Sequence, residues 1–226
     1  KGEEYQETFA LKLEREVTTA STRGKIYDRN GNVLAYSELS YSVAIEDNGT
    51  YETTKEKQHS LNDTIYRLIC LIEKNGDESI NEFGIIYENG QYKFVNEGTR
   101  LLRFKADVYG KLRIDQLETE EELATPDDIM DYMCGNERYR IDEGNFNDEY
   151  RLKILNVRYA MSSNSYKRYV KTIVSSNVSD RTVAAVMENI TGLQGVSIEE
   201  ESIRVYPDAK YFAPLIGWIG KASDDE

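Results

Sequence analysis

The sequence predicts an α+β protein, elongated in shape, whose β-rich ends enclose a middle of mixed helices and strands. Alternating apolar and polar side chains, which are typical of strands, are concentrated near both ends of the 226 residues. Apolar residues at helical spacing recur between these ends, and Asn, Gly and Pro mark the breaks. We therefore expect a β-rich stalk built from residues 1–48 and 191–226, and an inserted head built from residues 49–190.

The first part of the chain contains the clearest hairpin signal. Residues 8–17 alternate in polarity and predict a strand. Asn30 and Gly31 then lie between two apolar stretches, and this pair favours a tight hairpin turn because both residues tolerate positive φ. Residues 41–45 alternate again and predict a further strand. This end of the chain is therefore expected to be rich in β structure.

The middle of the chain carries helix signals with suitable ends. Apolar residues recur at helical spacing over residues 53–74, and the Asn-Gly pair that follows favours a helix end. Thr125 and Pro126 combine an N-cap with a proline at the first helical position, which predicts a helix from there to Cys134. The remaining predicted elements are helices over residues 98–108, 147–161 and 179–192, a hairpin over 85–95, and strands over 166–174, 196–201 and 203–206.

The charge of the chain argues against nucleic acid as a partner. The formal net charge is −13 at pH 7, and no stripe rich in Lys and Arg is present. Such a surface repels a phosphate backbone, so we expect no nucleic-acid partner. The acidic run from Glu118 to Glu122 is interpreted as a solvated face, because blocks of like charge usually remain in water. No apolar run in the sequence approaches the length that spans a membrane.

The cysteines and the single histidine give no basis for a metal site. His59 is the only histidine, and no Cys-x-x-Cys motif is present, so we expect neither a metal nor a cofactor. Cys70 and Cys134 each lie in an apolar periodic segment and are expected to be buried free thiols. Whether a disulfide joins them is left open, because two positions alone cannot establish one.

The chain lacks the motifs of acyl transfer. No serine is followed three residues later by lysine, the spacing that lets an amine assist a serine nucleophile. Carboxylates near residues 142–149 arise by chance among 41 acidic residues, and we interpret them as a solvated loop and a helix start. A weak calcium site there is an alternative. We therefore expect no catalytic residue in this chain.

Four charged residues near the two ends have no catalytic explanation. Arg23, Asp28 and Arg29 flank the predicted hairpin turn, whereas Arg204 lies in the other β-rich end. If these ends pair, one of the arginines is expected to meet Asp28 in a planar, bidentate contact. Such a contact would fix the register of strands that are distant in sequence. The alternative is a set of independent surface charges.

Two motifs, one near each end, share a known pattern. The stretch RGKIYDRNGNVLA covers residues 23–35, and GVSI, RVYP and IGWIG cover residues 195–198, 204–207 and 216–220. In this order, with a variable insert between them, they resemble the pedestal, or dimerisation, module of class B penicillin-binding proteins, whose first signature reads RGxIxDRNGxxLA. The residues of the structural motif that the resemblance implies are Arg23, Gly24, Asp28, Arg29, Asn30, Gly31, Leu34, Ala35, Arg204, Tyr206, Pro207, Gly217 and Gly220.

The resemblance implies a longer parent protein in which this chain has a supporting role. In that family a transmembrane helix precedes the module and a penicillin-sensitive D,D-transpeptidase domain follows it. The resemblance thus implies anchoring at the outer face of the cytoplasmic membrane through a helix before Lys1. The implied role is to position the transpeptidase domain during peptidoglycan biosynthesis. The implied partners are that domain of the same chain, a SEDS-type glycosyltransferase and other elongation or division proteins, with a homodimer left open.

Two alternatives remain on the sequence alone. One is a stand-alone extracellular binding or scaffold domain that recognises glycan through its 17 tyrosines. The other is an unrecognised enzyme, such as a glycosidase that uses paired carboxylates. A downstream reading frame without the serine and lysine motifs of transpeptidases would favour the first. Turnover of peptidoglycan that is lost on carboxylate substitution would favour the second.

Overall fold

The computed structural model describes residues 23–163, 171–207 and 210–211. Within them, helices and antiparallel strands occupy separate stretches of the chain. This arrangement confirms the predicted α+β class. The strand predicted over residues 8–17 lies outside the described residues.

The elements largely follow the predicted order. Strands β1 to β6 span Ile26–Tyr27, Val33–Ile45, Ile85–Glu88, Gln91–Phe94, Thr172–Ser175 and Val196–Val205. Helices α1 to α6 span Thr54–Lys74, Gly98–Val108, Thr119–Leu123, Pro126–Cys134, Asp148–Ser163 and Asp180–Glu188. Short 3-10 helices span Ile114–Gln116, Ile141–Gly144 and Ile190–Gly192. The helix α3 and the first two 3-10 helices are additional to the prediction, because such short pieces contain too few residues for a periodic pattern.

In the four-stranded sheet of the described region, β2 is the common neighbour. It pairs antiparallel with β1, where Ile26 lies opposite Ala35, and with β5, where Val43 lies opposite Ser175. Strand β6 also pairs with β2. The prediction of two strands separated at Ser202 is wrong, because β6 is continuous there. A polar residue interrupts the apolar alternation, but it leaves the backbone hydrogen-bonding groups in place.

Both predicted hairpins are present and have the expected turn residues. Strands β3 and β4 pair antiparallel, and the turn between them contains Asn89 and Gly90 with φ of 53° and 78°. The turn between β1 and β2 contains Gly31 with φ of 85°. Positive φ at these positions is the reason that Asn and Gly occupy them.

By its contacts the chain divides into two compact units. The smaller unit combines residues 1–39 with residues 202–226, and the larger unit is residues 40–201. In the smaller unit, the described elements are β1, the first part of β2 and the end of β6. The larger unit contains α1 to α6 and the hairpin of β3 and β4.

The hydrophobic core of the larger unit forms around α1. Ile65, Leu68, Ile69 and Ile72 recur at helical spacing and are fully buried, as an amphipathic helix requires. Further fully buried members of the core come from β2, α4 and α5: Val43, Ile45, Ile129, Met130, Ile154 and Leu155. The apolar periodicity of the sequence therefore identifies the central helix of the unit correctly.

Side-chain caps define the starts of three helices. Thr53 Oγ1 accepts a hydrogen bond from the Glu56 backbone N–H at 3.1 Å, before α1. Thr125 Oγ1 accepts one from the Asp128 N–H, and the Asp128 carboxylate accepts one from the Thr125 N–H, which together form a capping box. Ser179 Oγ accepts a hydrogen bond from the Thr182 N–H at 3.4 Å, before α6. The caps predicted at residues 125 and 179 are thus confirmed.

Both cysteines are free. Cys134 is fully buried at the end of α4, whereas Cys70 is only partly buried in α1. The prediction of free thiols is therefore confirmed, and full burial applies to Cys134 alone.

Candidate functional site

The turn between β1 and β2 is organised by the Asp28 carboxylate. Its Oδ1 accepts hydrogen bonds from the backbone N–H groups of Asn30 and Asn32, each at 2.8 Å. Its Oδ2 accepts one from the Asn32 side-chain amide, also at 2.8 Å. These bonds, with the Asn32 side chain contributing most, lower the pKa of the Asp28 carboxyl. The local sequence therefore closes its own turn without help from elsewhere.

Arg204, near the end of β6, contacts the first described residues of the chain. Its Nη1 donates to the Gly24 carbonyl at 2.7 Å and to the Arg23 carbonyl at 3.3 Å. It also donates to Ser37 Oγ in β2 at 3.3 Å, and Ser37 Oγ donates to the Arg23 carbonyl at 3.4 Å. The Arg204 guanidinium thus bonds to the backbone carbonyl of a residue 180 positions earlier in the chain.

The predicted ion pair between Asp28 and an arginine is wrong. Among the described residues, the partners of the Asp28 carboxylate are Asn30 and Asn32, and Arg204 bonds to carbonyl and hydroxyl oxygens instead. Short Asp side chains readily bond to N–H groups a few residues ahead, and this local contact forms here in preference to a distant one. Arg29 is exposed and makes no ion pair within the described part of the chain.

The other residues of the predicted motif differ in burial. Ala35 is fully buried in β2, whereas Pro207 is exposed. Leu34 and Tyr206 are partly buried. The motif residues that lie outside the described part of the chain are Gly217 and Gly220.

Two residues that were not predicted from the sequence, Ser37 and Glu46, hold β2 in place. Ser37 supplies the hydroxyl that bonds to Arg204. The Glu46 N–H donates to the Gly195 carbonyl at 2.9 Å, and a Cβ on Gly195 would lie only 2.0 Å from the Glu46 carbonyl oxygen. Neither residue carries a sequence signal, because Glu46 acts here through its backbone and serine is common in strands as well as loops.

The carboxylates near residues 142–149 are paired with cations. Burial by itself would raise the pKa of the Glu143 carboxyl. Hydrogen bonds from Lys55 and Arg140 outweigh this effect, so the pKa lies below its ordinary value. A general acid for glycoside hydrolysis needs a raised pKa. The arrangement therefore opposes the glycosidase alternative. The ion pairs of this region are Lys55–Glu143, Arg140–Glu143, Arg151–Asp142, Arg151–Asp148 and Lys153–Glu149.

The buried thiol is also unsuited to chemistry. Burial raises the pKa of Cys134 to about 12, which keeps the thiol protonated at neutral pH, whereas a nucleophile or metal ligand needs the thiolate.

Within residues 23–163, 171–207 and 210–211, no group of three or more His, Cys, Asp or Glu side chains is placed to hold a metal ion. In the same ranges, no helix is both long and apolar enough to cross a bilayer.

Comparison with known proteins agrees with the two terminal motifs. A family model described as the penicillin-binding protein dimerisation domain matches residues 18–226. Penicillin-binding protein 2A of Bacillus subtilis (strain 168) is 23% identical over 223 residues, which cover 99% of this chain and 28% of that protein.

Solved structures of penicillin-binding protein 2B from Streptococcus pneumoniae also match. The protein of strain 5204 is 15% identical with a TM-score of 0.43, over 91% of this chain and 28% of that one. The protein of strain R6 is 17% identical with a TM-score of 0.40, over 89% of this chain and 28% of that one.

The chain spans 28% of the length of the relatives it matches. The family model, by contrast, extends over most of the chain, including both terminal motifs and the middle between them. The family inferred from the motifs is thereby confirmed: the chain belongs to the penicillin-binding protein dimerisation-domain family.

Proposed function

We propose that this chain is the non-catalytic pedestal of a penicillin-binding protein that acts in peptidoglycan biosynthesis. The parent protein is anchored by a transmembrane helix, and the pedestal lies at the outer face of the cytoplasmic membrane. There it positions the D,D-transpeptidase domain of the same chain. The larger unit contacts assembly partners, which include a SEDS-type glycosyltransferase and other elongation or division proteins.

The contact of Arg204 with the Arg23 and Gly24 carbonyls is the observation that carries this proposal. It joins a segment near the start of the chain to one near its end. In the proposed parent, the membrane anchor precedes the first segment and the transpeptidase domain follows the second. A guanidinium that bonds to backbone carbonyls ties the two segments directly, so the orientation of one constrains that of the other.

A supporting rather than catalytic role agrees with the chemistry of the described side chains. The carboxylates near residues 142–149 are neutralised by cations, and the buried thiol of Cys134 stays protonated. The sequence also lacks a serine with a lysine three residues later. Catalysis in the parent is accordingly assigned to the transpeptidase domain.

The test is made on the full-length parent protein in cells that depend on it for growth. Arg204→Ala removes the contact. Arg29→Ala is the matched control, because Arg29 is exposed and lies in the motif of residues 23–35. We expect Arg204→Ala to keep its labelling by a fluorescent penicillin within about twofold, a difference of less than about 0.5 kcal/mol, but to lose peptidoglycan cross-linking and growth. Arg29→Ala is expected to keep all three.

Two outcomes would contradict the proposal. If Arg204→Ala supports normal cross-linking and growth, the contact does not couple the pedestal to the transpeptidase domain. If the variant also loses penicillin labelling while its amount in the membrane is unchanged, Arg204 maintains the active site itself and not its placement.

A further inference from the structure

Two leucines on one segment of the larger unit are highly exposed. Leu112 is 82% exposed and Leu123 is 75% exposed, the two highest values among large apolar side chains in the described residues. Both lie within residues 109–125, which connect α2 to α4. A single exposed leucine is ordinary. Two on one short segment mark a surface that another molecule can cover.

The segment is held in place by cations of α2. Arg103 Nη1 donates to the Leu112 carbonyl at 2.8 Å. Lys105, which is only 5% exposed, donates from its Nζ to the Glu122 carbonyl at 2.6 Å. The backbone at or beside each leucine is therefore fixed by a charge-assisted hydrogen bond. Their exposure is thus a property of a bonded segment and not of a loose loop.

An ion pair connects the two parts of the segment. Lys111 Nζ lies 3.1 Å from a carboxylate oxygen of Glu121 and 3.6 Å from one of Glu118. Leu112 directly follows Lys111, and Leu123 belongs to the same short helix, α3, as Glu121. The ion pair therefore ties the residue before Leu112 to the short helix that ends at Leu123.

Exposed carboxylates lie between the two leucines along the segment. The cations of the segment, Lys111 and Arg113, are already paired with acidic side chains. The exposed acidic residues are Asp115 and Glu118, which pair with those two cations, and Glu120 and Glu122. We call these four acids together with Leu112 and Leu123 the leucine surface. A ligand for it must offer apolar side chains to the leucines and positive charge to the carboxylates.

The charge distribution decides between occupants. An anionic lipid surface would meet these carboxylates with repulsion, because both carry negative charge. A second copy of the chain would bring the same carboxylates against themselves, and the chain as a whole has a net charge of −13. A cationic protein segment meets neither obstacle.

We propose that the leucine surface docks a cationic amphipathic segment of another protein. Apolar side chains of that segment cover Leu112 and Leu123, while its Lys or Arg side chains face the acidic residues around them. The inference deepens the partner-binding part of the proposed function and rests on it. Its test measures binding alone, so it can fail while the positioning role stands.

The test uses the 226-residue chain and a fluorescein-labelled synthetic peptide whose helix carries leucines on one face and lysines on the other. We expect the double variant Leu112→Ser with Leu123→Ser to weaken binding at least about tenfold in fluorescence anisotropy. Val95→Ser is the matched control, since Val95 is 58% exposed elsewhere, and it is expected to stay within about twofold. Both variants carry the same net charge as the wild-type chain.

A second variant tests the electrostatic part. Glu120→Gln with Glu122→Gln removes two exposed charges without removing apolar area, and it should weaken binding and reduce its dependence on salt. Thermal unfolding of each variant checks that the fold is kept.

Three results would overturn the proposal. The first is equal peptide binding by the leucine double variant and by Val95→Ser. The second is binding of the wild-type chain to phosphatidylglycerol vesicles that the leucine double variant abolishes, which would assign the surface to a membrane. The third is self-association in sedimentation velocity that the same variant abolishes, which would assign it to a second copy.

Discussion

Gly195 allows the start of β6 to approach the backbone after β2 more closely than any other residue type would. Its carbonyl accepts a hydrogen bond from the Glu46 N–H at 2.9 Å, and its φ is 78°. A Cβ at this position would lie 2.0 Å from the Glu46 carbonyl oxygen. Any substitution therefore meets two separate costs, positive φ and a clash with backbone.

Gly195→Ala is expected to lower the free energy of unfolding by at least about 3 kcal/mol, because the clash adds to the strain at positive φ. Gly76→Ala is the matched control, since Gly76 has a φ of 92° with no heavy atom within 4 Å of an added Cβ. Its expected loss is about 1 kcal/mol. Urea unfolding followed by circular dichroism measures both values. Equal losses would contradict a close approach at Gly195.

At the residue scale, sequence predicts what local chemistry determines. The turn at Asn30 and Gly31 is predictable because glycine supplies the positive φ that the turn needs at Gly31. The partners of Arg204 are not predictable, because backbone carbonyls are offered by every residue of the chain. Asp28 illustrates the same limit: arginines nearby in sequence suggest an ion pair, but N–H groups of the turn itself take the carboxylate.

At the scale of elements, a single carboxylate in the loop after α1 anchors the start of α6. Asp77 Oδ2 accepts hydrogen bonds from the Ser179 N–H at 2.9 Å, from Ser179 Oγ at 2.8 Å and from Thr182 Oγ1 at 2.5 Å. Burial by itself raises the pKa of the Asp77 carboxyl, but the hydrogen bonds from Thr182 and Ser179 lower it more, so the net pKa is below 3.8. A negative charge there is also favourable at a helix N-terminus.

Asp77→Asn is expected to lower the free energy of unfolding near pH 7 by about 1–2 kcal/mol, because charge-assisted hydrogen bonds are lost. Since the folded-state pKa is lowered, this contribution is fully present above the ordinary value of 3.8 and declines as pH falls through the lower folded value. The difference between wild type and variant should therefore shrink below about pH 4. Urea titrations at a series of pH values measure it.

The exposed Asp63→Asn is the control for this prediction. Asp63 pairs with Arg67, and both side chains are about half exposed, so removing the charge should change stability by less than about 0.5 kcal/mol. A difference between wild type and Asp77→Asn that stays constant or grows as the solution is acidified would contradict a lowered pKa at Asp77.

Helices are predicted better than strands in this chain, for an identifiable reason. The starts of α4 and α6 are fixed by capping residues that are visible in the sequence, Thr125 and Ser179. Strand ends depend on pairing with a neighbour that the sequence does not name. Strand β6 consequently continues through the polar Ser202, where alternation alone predicts a break.

At the scale of the whole molecule, the ends of the sequence are more informative than the middle. The described parts of the two terminal motifs include a turn at Gly31 and a close backbone approach at Gly195, and such requirements restrict the residue types that can occupy them. The docking role proposed for the middle depends on which side chains are left exposed, such as Leu112 and Leu123. Exposure is a result of the completed fold, and no periodic pattern in the sequence predicts it.

The net charge makes a further prediction for the molecule as a whole. With 41 acidic residues against 28 lysines and arginines, many carboxylates remain without a cation however the side chains pair. Their mutual repulsion opposes the compact state, whereas exposed ion pairs are worth only about 0–1 kcal/mol each. Screening should therefore remove more repulsion than attraction, and added salt should stabilise the fold.

We expect Tm to rise by roughly 3 °C between about 20 mM and about 300 mM sodium chloride, which corresponds to about 1 kcal/mol for a chain of this size. Differential scanning calorimetry at pH 7 measures this change. The variant Glu120→Gln with Glu122→Gln serves as the control: with two fewer negative charges it should begin at a higher Tm in low salt and rise less. A Tm that falls with salt in both proteins would mean that specific ion pairs, such as those of Arg151 with its three aspartates, outweigh the general repulsion.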